Sequence, residues 1–199
     1  MISPPRCRLA VGRRVELAPL REATAGGTPR LPTAVALIDD GDRLRLEIVA
    51  TDPQPWATLR RRDADLWREE VVEVFLAPGA ETPQRYFELE LNPLGTLFDA
   101  RVDCPHGDRR GLRVDRSWSC VGLETRVEVD TSRGWWRTEL AIPWRAVGPA
   151  PTPSAWRLNI YRIDRPPGAG AEHSAWSPTL VAPADFHRPA RFGFLDRVG

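Results

Sequence analysis

RRDADLWREEVVEVFLA, residues 61–77, runs from a charged, loop-like stretch carrying Trp67 into an apolar strand with Glu73 at its centre. Side chains alternate along a strand, so Val72, Val74 and Leu76 share one face while Val71, Glu73 and Phe75 share the other. Both faces are apolar apart from Glu73. Burying an unpaired carboxylate costs several kcal/mol, so Glu73 demands either a buried partner or a bound polar ligand. An aromatic plate six residues before a half-buried carboxylate suits a sugar. The ring takes an apolar sugar face and the carboxylate oxygens accept hydroxyls.

Outward from this stretch the dominant period is two, in short runs broken by Pro, Gly and Asp. Leu44, Leu46 and Ile48 alternate with Arg43, Arg45 and Glu47; Phe87, Leu89 and Leu91 alternate with Glu88, Glu90 and Asn92; Trp136, Thr138, Leu140 and Ile142 alternate with Arg137, Glu139 and Ala141. Each reads as an antiparallel strand with one face buried and one solvated. Further strands are expected over 8–18, 33–38, 70–77, 97–102, 121–129, 155–163 and 192–195. The 20 prolines and 15 glycines suit turns and oppose helices. The fold class is therefore all-β, an antiparallel two-sheet β-sandwich with jelly-roll-like or immunoglobulin-like packing, and residues 1–199 are read as one domain. The proline-rich stretch 165–189 is expected as a long ordered loop over one end, a place where function concentrates.

Composition removes several function classes. All 28 basic residues are arginine, offset by 27 carboxylates for a formal charge of +1, which gives no basic footprint for nucleic acid or a membrane surface. The arginine runs 60–62 and 109–110 read as solvated charge. No apolar run reaches the roughly 20 residues of a membrane-spanning helix. The opening MISPPRCRLAVGRRVEL lacks the apolar stretch of a secretory signal, so the expected location is cytoplasmic, with export by another route left open. Cys7, Cys104 and Cys120 are then free thiols by default, with a Cys104–Cys120 bridge as the alternative.

Catalytic motifs are sparse. The sequence holds no G-x-S-x-G elbow, no phosphate-binding glycine loop and no zincin spacing among His106, His173 and His187. Cys104-Pro-His106 offers two metal ligands without a completing pair and reads as a turn. Asp39-Asp40-Gly41-Asp42 reads as a hairpin turn, with a calcium loop as the alternative. Paired carboxylates such as Glu73 with Glu88 or Glu90 could in principle run glycoside hydrolysis, although carboxylates on neighbouring strands are common. Among the 8 tryptophans, Trp136 and Trp156 lie in strand register with aliphatic neighbours and read as core. Trp67 and Trp176, the latter in HSAWSP, are the candidate exposed platforms. Arg157, Asn159 and Tyr161 share one face of WRLNIYRID, which serves either as a recognition surface or as a solvated outer face.

Taken in order, LWREEVVEVFLAP (66–78), RYFELELNPLGTLFDA (85–100), WWRTELAIPW (135–144), WRLNIYRID (156–164), SAWSP (174–178) and FHRPARFG (186–193) resemble the family 9 carbohydrate-binding modules and their DOMON-like relatives. The resemblance implies a β-sandwich that binds a sugar end between two aromatic rings, with structural calcium in some members. It matches Trp67 to the first sandwiching tryptophan and Glu73 to the carboxylate that accepts sugar hydroxyls. The second sandwiching ring falls on Phe186, a sugar-contacting arginine falls on Glu88, and an asparagine falls on Pro183.

The expected function is thus a non-catalytic carbohydrate-binding domain. Its aromatic-lined cleft is expected to use Trp67, Glu73, Glu88, Asn159, Arg162, Trp176 and Phe186. The residues themselves call for no cofactor and leave any metal site unassigned; the expected partner is a carbohydrate, with no nucleic acid and no membrane. Three alternatives stand beside it: an intracellular interaction module with a degenerate sugar site, a glycan-active enzyme using Glu73 and Glu88, and a haem domain, which would need a methionine where the chain has Met1 alone.

Overall fold

The computed structural model describes residues 2–198, and Met1, the methionine of the haem reading, lies outside them. One sheet orders β1 (Arg6–Ala10), β14 (Gly193–Val198), β12 (Ala155–Asp164), β6 (Val71–Pro78), β7 (Arg85–Leu91), β8 (Leu97–Asp103) and β9 (Arg113–Asp115), with strands numbered along the chain. Two short strands extend it beside β12: β13 (Glu172–Ala175) pairs with β12, and β3 (Arg21–Glu22) pairs with β13. The second sheet runs β10 (Glu124–Asp130), β11 (Trp135–Pro143), β5 (Arg43–Thr51), β4 (Thr33–Asp39) and β2 (Arg14–Glu16). Pairing between these strands is antiparallel except for β1 against β14. The protein is a two-sheet β-sandwich, and its one α-helical turn among the described residues is Trp144–Val147.

Alternation explains how the sheets meet. Val72, Val74 and Leu76 of β6 and Leu158 and Ile160 of β12 point between the sheets, where they meet Leu37, Leu46, Ile48, Trp136 and Leu140. Each such side chain contributes about 1.5–3 kcal/mol when fully buried. Trp136 and Trp156 are fully buried, as expected of packing residues. The expected strand over 8–18 is two strands, because Gly12 adopts a positive φ of 72° and the turn there hands the chain from one sheet to the other.

The other face of the large sheet departs from expectation. A half-solvated strand should leave Glu88, Glu90 and Asn92 in water, yet all three are buried. The reason lies in two segments that cover this face: the one after β13, with the 3-10 turn Pro189–Arg191, and the stretch before β6, where Leu59 O accepts from Asn92 Nδ2 at 2.8 Å. Phe186 and Phe192 from the first of these join Phe75, Tyr86, Phe98 and Tyr161 in a second apolar cluster. Phe75 is its hub, with ring centroids 5.3 Å from Tyr86, 5.0 Å from Tyr161 and 5.8 Å from Phe192. The central strands β6, β7 and β12 are therefore buried on both sides.

Three smaller expectations meet the structure directly. Asp39–Asp42 forms the β4–β5 hairpin, with Gly41 at φ 92° and its N–H donating to Asp39 at 2.8 Å. Asp39 also accepts from Trp144 Nε1 at 3.1 Å and pairs with Arg197, so this aspartate is spent on structure. All three cysteines are free and buried.

Candidate functional site

The site begins where the opening stretch placed it. Leu66 is fully buried and pins the 3-10 turn Leu66–Arg68, which leaves Trp67 half-buried at the mouth of a cavity just before β6. Trp67 meets Phe98 edge-on at 5.8 Å, and the Arg116 guanidinium lies 5.3 Å from its ring centroid. On the opposite side Phe186 lies flat on Tyr161, with centroids 4.1 Å apart and planes 12° apart, and accepts a hydrogen bond from Tyr161 Oη at its carbonyl, 3.0 Å. The cavity these walls enclose measures about 370 Å³, within the roughly 300–1,000 Å³ of small-molecule sites.

Its floor is acidic. Glu73 on β6 stands opposite Glu90 on β7, with Glu88 one pleat along the same face. Both Glu73 and Glu88 line the cavity, and one oxygen from each of the three carboxylates lies within 4.8 Å of the other two. Glu90 is completely buried, and as carboxylates neither of its oxygens nor Glu88 Oε2 has a hydrogen-bond partner. Burial, then the neighbouring Glu88 charge, pushes Glu73 well above the usual carboxylate range. Burial lifts Glu88 to about 7, against the opposing pull of Glu90, Arg109 and Arg116. Glu90 is raised by burial and by both glutamates, and a proton on either member turns the Glu88–Glu90 contact into a hydrogen bond.

Two cations and an imidazole complete the walls. Arg109 pairs with Asp185 at 2.9 Å and Arg116 with Asp65 at 3.0 Å, so each guanidinium is held at the rim by an aspartate. His187 shares a 2.6 Å hydrogen bond with Tyr86 Oη through Nδ1. Burial and Arg109 lower its pKa to about 4, which keeps the ring neutral at pH 7.

Four of the seven expected site residues therefore converge: Trp67, Glu73, Glu88 and Phe186 line one cavity. The other three do not reach it. Trp176 is a core residue, 4% exposed, because β13 carries it back under the sheet. Arg162 has the parity of Leu158 and Ile160 and so points to the opposite face, where it bonds Thr51 O at 2.9 Å and Asp52 at 3.0 Å. Asn159 shares the face of Glu73, but both ends of its amide are bonded to the Ser177 backbone at 2.9 Å. Arg157, expected beside it, donates to the Phe192 carbonyl.

Sequence reasoning raises Glu90 only as a hydrolase carboxylate and misses Arg109, Arg116, Phe98 and His187. Glu90 has the same parity as Glu88, and that signal could have placed it at the sugar site as well. Arg109 reads as solvated charge, and no local pattern marks it or Arg116, since loops far from β6 deliver both. A second depression, about 350 Å³, lies on the outer face of the small sheet among Arg14, Glu47 and Glu139. Arg14 and Glu47 are already paired at 3.0 Å across an exposed surface, so the cavity over the large sheet is the better candidate.

Comparison with solved structures agrees with this architecture. A Bacteroides uniformis protein inferred to bind carbohydrate superposes with a TM-score of 0.74 at 16% identity, covering 98% of this chain and 100% of that one. A family 9 carbohydrate-binding module from Caldicellulosiruptor kristjanssonii in complex with cellotriose gives 0.64 at 12% identity, covering 98% and 94%. The same comparison with a glucose complex gives 0.63 at 12%, covering 98% and 96%. The fold is that of the family 9 carbohydrate-binding modules. No family model matches the sequence. The CBM9-like fold is thus carried by structure at identities too low to carry ligand specificity with it.

One curated relative corrects the expected location. A protein of Arthroderma benhamiae described as extracellular is 28% identical over 104 residues, a match spanning 49% of this chain and 47%, about half, of the relative. That finding points away from the cytoplasmic placement inferred from the opening residues.

Proposed function

We propose that this chain is a non-catalytic carbohydrate-binding domain that takes a sugar end into the cavity between Trp67 and Phe186. One observation carries the reading: a single cavity brings aromatic surface from Trp67 and Phe98 together with the buried carboxyls of Glu73 and Glu88, the latter with an unpartnered Oε2. Trp67 offers a ring face to the apolar side of a pyranose. Glu73 and Glu88 accept hydroxyls when ionised and donate when they hold a proton, and Arg109 and Arg116 donate from the rim. The CBM9-like fold of the chain and the cellotriose- and glucose-bound neighbours support the same substrate class.

Glycoside hydrolysis is less well served by this geometry. A hydrolase pair flanks the scissile bond, whereas Glu73 and Glu88 stand on adjacent strands of one sheet face and so lie on the same side of any occupant. An open cavity of this size also favours an occupied site over a relic.

Isothermal titration with glucose, xylose, cellobiose and longer β-glucans tests the proposal. Saturable heat for at least one sugar is expected, reduced about tenfold or more in affinity by Trp67→Ala. Absence of heat across the panel, with folded protein, overturns it.

A further inference from the structure

The floor carboxylates pose a problem that a neutral sugar does not solve. Three glutamates, each at least 95% buried, converge on one point, and three of their oxygens lack partners. Tyr161 on β12 stands opposite Glu73, Phe75 stands opposite Glu88, and neither supplies positive charge. The nearest guanidiniums, Arg109 and Arg116, are held at the rim by Asp185 and Asp65. Hydroxyl groups arriving from above would reach Glu73 and Glu88, which line the cavity, and would leave Glu90 beneath them unanswered.

We propose that Glu73, Glu88 and Glu90 form a site for a divalent cation of the calcium class, and that sugar hydroxyls complete its coordination from the cavity side. The donor set is all oxygen and all carboxylate, which suits a hard cation. Within that class magnesium keeps several waters and seldom takes an all-protein cage, whereas calcium accepts a flexible shell of carboxylates. The three oxygens lie within 4.8 Å of one another, close enough for one ion to meet all three. Calcium takes six to eight oxygens, and three carboxylates leave positions open toward the cavity. A sugar diol entering between Trp67 and Phe186 would fill two of them.

The second buried acidic group does not share this character. Asp52, Glu70 and Asp164 also converge, but Arg162 pairs with Asp52 at 3.0 Å and Arg30 with Asp164 at 3.0 Å. Charge there is answered from within the chain.

The cation site stands on the floor carboxylates alone; its part in ligand binding rests on the sugar reading, and the two fail separately. Full-length protein is stripped with EDTA, desalted and titrated with CaCl₂ at pH 8, then with the sugar panel in CaCl₂ and in EDTA. Calcium binding in the range of about 10⁻⁴–10⁻³ M or tighter is expected, weakened about tenfold or more by Glu90→Gln and retained in Glu70→Gln. Terbium luminescence sensitised through the cavity tryptophan, displaced by calcium and lost in Trp67→Phe, locates the ion independently of the glutamate variants. Sugar affinity is expected to fall about tenfold or more in EDTA. Absence of calcium heat and terbium signal in folded protein overturns the site. Sugar binding indifferent to EDTA overturns the coupling and leaves the sugar reading intact, whereas calcium binding with no sugar heat keeps the site and removes the sugar reading.

Discussion

Two groups of three buried carboxylates lie on opposite faces of the large sheet, Glu73, Glu88 and Glu90 on β6 and β7 and Asp52, Glu70 and Asp164 at the ends of β5, β6 and β12, and they have opposite fates. On the face between the sheets, Glu70, Asp164 and Asp52 surround Arg162, itself 1% exposed and bonded to Asp52 and Thr51 O, while Arg30 reaches Asp164. Burial and a hydrogen bond with Asp52 lift Glu70 to about 8, so it holds a proton at neutral pH and leaves the two aspartates to the two guanidiniums. On the other face Glu73, Glu88 and Glu90 meet no buried cation, and their space opens into a cavity. The chain answers one cluster internally because that cluster closes the end of the sandwich. Leaving the other unanswered costs stability, and such a cost persists where a ligand offsets it.

Breaking the internally answered group should have the largest effect. Arg162→Met removes the one fully buried guanidinium of that cluster, which pairs with Asp52 and donates to Thr33, and leaves Asp52 beside Asp164 without it. Losing one partner of a buried pair costs about 3–5 kcal/mol, and urea unfolding should show a midpoint shift of that size. An unchanged midpoint would place the two clusters on the same footing and dissolve the contrast.

The unanswered group should respond with the opposite sign. Glu88 titrates near 7 in the folded chain and near 4.5 when unfolded, so its contribution is fully present below 4.5 and is lost as pH rises through 7. In chelator, Glu88→Gln removes that loss, and the variant should be more stable than the parent at pH 8 by about 1–3 kcal/mol. The parent's melting temperature should fall between pH 4.5 and 7 more steeply than the variant's. His187 works the other way: its pKa is lowered to about 4, so its contribution is present above 6.5 and lost as pH falls through 4. The two slopes cancel between pH 4.5 and 6.5, which predicts a broad stability plateau in chelator across that range, and a parent maximum at pH 8 would refute the unanswered floor.

The same contrast shows what the amino-acid order makes legible. Period-two runs locate the main strands, and parity alone separates Glu73 from Val72, which is why the anomaly at Glu73 is visible in the sequence itself. Parity also places Arg162 with Leu158 and Ile160, away from Glu73, so its exclusion from the site is available in principle. What alternation cannot say is whether a polar face meets water. Glu88, Glu90 and Asn92 carry the pattern of a solvated face, and only segments returning over the sheet, residues 165–192 and the stretch around Leu59–Trp67, bury them. Trp176 misleads for a related reason: its polar neighbours suggest a loop, while β13 pairing with β12 fixes it in the core. Arg109 and Arg116 belong to segments brought to the cavity by long-range packing, and nothing local in their sequence reports it.

The smallest expected effect concerns stability at the rim, and it separates the two kinds of arginine. Arg116 also faces a carboxylate cluster, but it is 42% exposed and its pair with Asp65 is a surface contact. Exposed pairs contribute about 0–1 kcal/mol, so Arg116→Gln should leave the urea midpoint within that margin, in contrast to the several kcal/mol of Arg162→Met. Its influence should emerge in binding instead, because the guanidinium lies over Trp67 and moderates the charge of Glu88. Removing it lifts Glu88 further above 7 and takes a donor from the cavity wall. Sugar affinity measured by titration calorimetry should therefore fall severalfold while the protein melts as before. A variant that binds unchanged but unfolds early would make Arg116 another Arg162, a structural cation, and would move the functional boundary inward from the rim.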